Sequence, residues 1–224
     1  MNPMVTFLRL QMKEAADPEK AGPMKAYMKG LQDFYGVPQP KRKNILQTAR
    51  NKFPITSFEE YESVLTELWK GRYREELYLA IDIGIGYKKF RIDRAMPLYE
   101  KMIKTADNWD TVDLVASRLV GELVLGNRAH EKKLIQWMRS KNFWLRGASL
   151  LAHLNHRKET NVSLLEKTIL TMIDEQEFFI QKAIGWVLRQ YARTDAAWVR
   201  KFVKKHQTRL SGLSRREAMK HLQT

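Results

Sequence analysis

Apolar residues recur at three- and four-residue spacing along nearly the whole chain, the pattern of helices that bury one face. Leu65, Leu68 and Trp69 share a face with Glu62, and Leu77, Ala80, Ile81 and Ile85 mark the next helix. Leu114, Leu119 and Leu123 follow Trp109, and Leu150, Leu151 and Leu154 follow Trp144. The spacing predicts helices over 3–15, 20–32, 39–52, 57–70, 73–88, 92–105, 109–125, 130–139, 143–156, 161–173, 177–193, 195–206 and 213–222. Alternation never persists long enough for a strand, and no Asn-Gly or Asp-Gly hairpin signal occurs. Every proline lies at or before Pro97, so the later helices run without that interruption.

Arg74, Trp109, Trp144 and Phe179 each open an apolar run, and they recur every 35 residues. That is the period of stacked helical pairs, each leaving an apolar face that only its neighbour can cover. The expected fold is therefore all-α, a curved α-solenoid forming a single domain over 1–224, with one continuous core and a concave face for binding.

The register exposes an irregularity. Four places after each anchor stand Tyr78, Asp113, Ala148 and Ala183, so one repeat carries an acid where the others carry residues compatible with packing. A buried carboxylate costs stability unless it is solvated, paired or used. Trp109 and Asp113, four apart, share one helix face. They form either a half-apolar anionic site, or a core anchor beside a carboxylate that caps the helix or pairs with an arginine. Asp110 reads as a first-turn acid complementing the helix dipole. Trp144 reads as core. Gly185 costs a helix interior about 1 kcal/mol relative to alanine, so beside Trp186 something must approach closely: another helix, or a nucleic acid.

Composition narrows the chemistry. With no cysteine, the chain of 224 residues has no disulfide, thiolate nucleophile or cysteine metal site. His153 and His156 share a helical face but lack further ligands at productive spacing. Ile83-Gly84-Ile85-Gly86-Tyr87 lacks the third glycine and preceding strand of a dinucleotide loop, and reads as a helix end. The opening Met1-Asn2-Pro3-Met4-Val5-Thr6-Phe7-Leu8-Arg9 has neither a basic leader nor a cleavage pattern, and no run approaches membrane-spanning length. The expectation is a soluble, cytoplasmic protein, nucleoid-associated if bacterial. Forty Lys+Arg against 25 Asp+Glu give a net charge of +15, which points to a polyanionic partner. Lys41-Arg42-Lys43, Arg189, Arg193 and Arg215 offer distributed phosphate contacts.

Three segments together carry a resemblance: Asn108-Trp109-Asp110-Thr111-Val112-Asp113, the run from Phe178-Phe179-Ile180 through Gly185-Trp186 to Arg189, and Leu213-Ser214-Arg215-Arg216-Glu217-Ala218. With Ala26-Tyr27-Met28-Lys29 near the N-terminus, the sequence resembles the HEAT-like-repeat DNA alkylation repair glycosylases, the AlkD family, almost end to end. The resemblance implies an all-helical enzyme that removes cationic N3- or N7-alkylated purines from double-stranded DNA. It implies a monomer that needs no cofactor or metal and has no membrane partner. Asp113 would act on the deoxyribose, and Trp109 and Trp186 would line the lesion site. Tyr27, Arg42, Lys43, Arg146, Arg189 and Arg215 are the candidate DNA contacts. One departure stands out. The family has an arginine where this chain reads Gly147, in Trp144-Leu145-Arg146-Gly147-Ala148-Ser149. Arg146 is adjacent, but one residue rotates a side chain by about 100° around a helix. The alternative function is accordingly a weakly active or non-catalytic binder of damaged or structured DNA on the same scaffold. A protein-interaction solenoid without a DNA role fits the charge less well.

Overall fold

A computed structural model describes residues 2–222, and the regular structure among them is all-α. One isolated bridge pairs Asp33 with Tyr73. No helix among the described residues is long and apolar enough to cross a membrane. The chain gathers into two compact units, one running to Leu98 and the other starting at Tyr99.

The first unit contains α1 (Pro3–Glu14), α2 (Pro18–Tyr27), α3 (Gln39–Lys52), α4 (Phe58–Trp69) and α5 (Arg74–Gly86). Local chemistry sets their starts. The Asn2, Asp17 and Ser57 side chains accept N–H bonds from Met4, Lys20 and Glu60. Prolines stand at the first helical turns of α1 to α3, where no N–H is missed. Leu8, Met12, Leu46, Tyr61, Leu65 and Leu79 fill the core.

The helix expected over 20–32 is shorter than its pattern suggested. It ends at Tyr27, because Lys29 and Gly30 take left-handed conformations at φ 58° and 74°. The chain then runs back to α5, where Glu75, 1% exposed, accepts N–H bonds from Tyr35 (3.0 Å), Gly36 (2.9 Å) and Val37 (3.1 Å). Tyr35 also stacks on Tyr73 with ring centroids 3.8 Å apart. Gly36 is required here twice over: its φ is 81°, and a Cβ would sit 2.0 Å from the Asp17 carbonyl oxygen.

Short 3-10 turns at Lys88–Phe90 and Asp93–Ala95 lead into α6 (Met96–Lys104), within which the division between the units falls. The second unit continues with α7 (Trp109–Leu114), a π-helical stretch Val115–Val120 and α8 (Gly121–Gly126), three segments of one continuous rod. There follow α9 (Glu131–Trp137), α10 (Phe143–Leu151), α11 (Val162–Met172), α12 (Phe178–Ala192), α13 (Ala196–Lys205) and α14 (Gly212–Met219).

The expected 143–156 helix stops at Leu151. Its apolar pattern continues through buried turns that fold back on the π-helical stretch. His156 Nε2 lies 2.8 Å from the Gly121 carbonyl oxygen, and a Cβ on Gly121 would meet the Ala152 carbonyl oxygen at 2.5 Å. His153 and His156 are packing residues, with rings edge to face at 5.4 Å. Burial lowers the pKa of both, that of His153 to about 3, so they pack as neutral imidazoles. Among the described residues no cluster of side chains is suited to a metal ion.

Candidate functional site

Two capped helix starts and one uncapped start face a common cleft. Asn108 Oδ1 accepts the Trp109 N–H at 2.9 Å, and Asn142 Oδ1 accepts those of Trp144 and Leu145 at 2.9 and 3.3 Å. These caps fix the first turns of α7 and α10, from which Trp109 and Trp144 project. Phe179 is the second residue of α12, whose start has no side-chain cap. All three aromatic anchors in the second unit, one helix apart from the next, line the same cleft. Arg74, their mate by register, is instead a buried cation in the first unit whose guanidinium donates to Gln32 Oε1 at 3.3 Å.

The cleft encloses about 430 Å³ of empty space, its open mouth included. Trp109 and Trp186 contribute indoles, and Trp144 lies between Phe143 and Phe179 at ring-centroid distances of 4.2 and 5.3 Å. Trp144 is thus a half-buried cleft wall rather than the core residue its position suggested. The reason is stacking. Trp144 rests on Phe143 and Phe179 and leaves one edge free on the cleft, where the lining residues Gly147 and Ala183 are small.

Asp113 stands one turn after Trp109 on this wall. Among the described residues its carboxylate makes no hydrogen bond and no ion pair, so it is neither a cap nor an arginine's partner. Burial pushes its pKa up to about 7; nearby Lys182 pulls it down, and Asp110 adds a smaller upward push. Its backbone carbonyl accepts a 2.5 Å bond from Ser117 Oγ, inside the π-helical stretch that begins two residues later.

Lys182 was not singled out in the sequence. Its Nζ lies 5.7 Å from the Trp109 ring centroid and 5.9 Å from that of Phe178. The signal was present: Phe179, Lys182, Ala183 and Trp186 fall at i, i+3, i+4 and i+7, a single helix face.

Gly185, beside Trp186, is where another helix approaches. A Cβ there would meet Glu217 Cβ at 2.5 Å and the Ser214 carbonyl oxygen at 2.9 Å, so α14 docks directly on α12. Ser214 Oγ donates to the Gln181 carbonyl at 2.7 Å, and Arg189 pairs with Glu217. The Leu213–Glu217 motif therefore braces the helix carrying Trp186.

The remaining candidates divide. Tyr27 is 73% exposed at the end of α2. Lys43 and Arg215 are exposed, with no ion pair among the described residues. Arg42 is buried, lies over the Tyr78 ring at 4.9 Å and pairs with Asp82 at 3.3 Å. Arg146 points away from the cleft: its Nε and Nη2 bind the Glu175 carboxylate at 2.8 and 2.9 Å, and Nη1 donates to the Ser140 carbonyl at 2.8 Å. Gly147 lines the cleft, and a Cβ there would make an ordinary 3.7 Å contact with Ile180.

Comparison with known proteins follows the same lines. The profile of a family described as DNA alkylation repair enzyme matches residues 8–222. The chain is similar to a solved structure described as a predicted DNA alkylation repair enzyme from Enterococcus faecalis. Identity is 31% and the TM-score 0.84, covering 92% of this chain and 96% of that one. No curated protein matches.

Proposed function

Because the chain belongs to the DNA alkylation repair enzyme family, we propose that it is an alkylpurine DNA glycosylase. It would act on duplex DNA carrying N3- or N7-alkylated purines as a first step of base excision repair. The observation that carries this reading is Asp113: a carboxylate without a hydrogen bond or ion pair among the described residues, lining the same half-open cleft as the Trp109 and Trp186 indoles.

Alkylation at N3 or N7 gives the base a positive charge and makes it a good leaving group. The C1′–N9 bond breaks with its electron pair leaving on the base, which departs neutral, and positive charge develops on the deoxyribose. What the reaction lacks is an anion beside the sugar, since no general acid is needed to expel such a base. Asp113 supplies that anion. The Trp109 and Trp186 faces add cation–π attraction toward the alkylated base or the sugar. Water adds to C1′, its proton passes to Asp113 or solvent, and an abasic site remains. This chemistry calls on no cofactor. Exposed cations such as Lys43 and Arg215 suit phosphate contacts, whereas Arg42, Arg146 and Arg189 are engaged with carboxylates of the protein.

The second reading, a weakly active or non-catalytic DNA binder, draws on Gly147, which offers the cleft no side chain while Arg146 is held by Glu175. Release of methylated purines from alkylated duplex DNA separates the two. The parent protein should release them, and Asp113→Asn should be slower by about 10²-fold or more with DNA affinity within a few-fold. Excision by the variant at the parent rate would remove Asp113 from the mechanism. A parent that binds the duplex without releasing bases would favour the second reading.

A further inference from the structure

The cleft contains one feature that neither the aromatic walls nor Asp113 explains. The Lys182 ammonium nitrogen lies over Trp109, 5.7 Å from its ring centroid, and 5.9 Å from that of Phe178. It occupies the third place after the anchor Phe179, where Val112 and Gly147 stand after Trp109 and Trp144. Each of the three helices thus had the chance to present a side chain at this level, and only α12 presents a charge.

The groups facing Asp113 can be taken helix by helix. On its own helix, Asp110 adds negative charge one turn earlier. On α10, Gly147 has no side chain, and Arg146 is committed to Glu175 at 2.8 Å. On α12, Lys182 brings positive charge, and it makes no ion pair among the described residues. Although exposed, its Nζ lies over the Trp109 ring, one turn before Asp113 on the same cleft wall.

We propose that Lys182 is a positioning residue for Asp113, its ammonium favouring the anionic form of the carboxylate that is required beside a positively charged sugar. The inference rests on the glycosylase reading for its purpose, though not for its physics. Burial alone drives Asp113 toward the neutral acid, which cannot stabilise a cation. A nearby opposite charge shifts the balance back toward the anion, and an exposed ammonium does so without locking the carboxylate into a salt bridge that the substrate would have to break.

The test is a 13C carboxyl titration of aspartate-labelled full-length protein without DNA, with Asp113→Asn used to identify the Asp113 signal. Lys182→Met keeps the apolar stem over Trp109 and removes the charge; Lys182→Arg keeps the charge. In Lys182→Met the Asp113 midpoint should rise by roughly 0.5–1 pH unit, and in Lys182→Arg it should stay near the parent value. The pH–rate profile for base release should move upward by the same interval, so that the loss is several-fold at pH 6 and small at pH 9. An unmoved midpoint in Lys182→Met overturns the proposal, as does an equal loss of rate at every pH, which would place Lys182 on the DNA instead. If the midpoint moves while even the parent releases no base, the coupling stands and the glycosylase reading falls.

Discussion

Two acids in apolar surroundings, one in each unit, are put to opposite uses. Glu75 is 1% exposed, and its oxygens accept three backbone N–H bonds from residues 35–37, which turns a non-helical segment back onto α5. Asp113 also lies in apolar surroundings, yet no described residue donates a hydrogen bond to its carboxylate, and its pKa rises to about 7. A carboxylate whose lone pairs are satisfied by the backbone is a structural element. One left unsatisfied beside a cleft weakens the fold and is available to a substrate. The hydrogen-bond donors separate the two cases.

The largest effect expected from this contrast is on folding. Glu75→Ala leaves three buried N–H groups without an acceptor and should destabilise the protein by about 3–5 kcal/mol. In a chain of this size that lowers the melting temperature by on the order of 10 °C. A melt within a degree or two of the parent would dissolve the distinction.

Asp113 should behave in the opposite sense. Its folded pKa lies above the ordinary aspartate value of 3.8, so between pH 4 and about 7 the folded state binds more protons than the unfolded one. Stability therefore falls as pH rises through that window. Asp113→Asn has no such penalty. It should melt with the parent near pH 4 and a few degrees above it at pH 8, in thermal unfolding followed by circular dichroism. A variant that melts lower at pH 8 would make Asp113 a structural acid like Glu75.

The smallest effect sharpens the comparison at its edge. Gly147→Arg places a cation on the cleft wall, where the first side-chain atom meets only an ordinary 3.7 Å contact. It would supply Asp113 with the donor it lacks, and base release should rise severalfold at pH 6, where more of the carboxylate becomes anionic. Unchanged release from a normally folded variant would mean that Lys182 already supplies enough charge.

Much of this was legible in the residue pattern. Trp109 and Asp113 do stand on one cleft wall, because a four-residue step returns to the same helix face. The sequence misled where tertiary contacts override local periodicity. The pattern over 20–32 continues through Lys29 and Gly30, which the structure turns left-handed, and the segment beyond them is held by Glu75, about forty residues away. Trp144 looked like core because the pattern registers apolarity and not which edge of a stack is left uncovered. Lys182 was overlooked as one of many lysines; its meaning depends on Arg146 being turned away, and no spacing reveals that.

The π-helical stretch Val115–Val120 has a consequence of phase. A regular helix locks every side chain to the same angular clock, so the face that fills the core dictates the face that meets the cleft. Widening the helix between Asp113 and Gly121 resets that clock, by up to about 100° for one extra residue in a turn. Trp109 and Asp113 are thereby aimed independently of Leu123 and Val124, which stay buried at the far end of the same rod. One continuous piece of backbone can thus present two orientations, one fitted to packing and one left adjustable for chemistry.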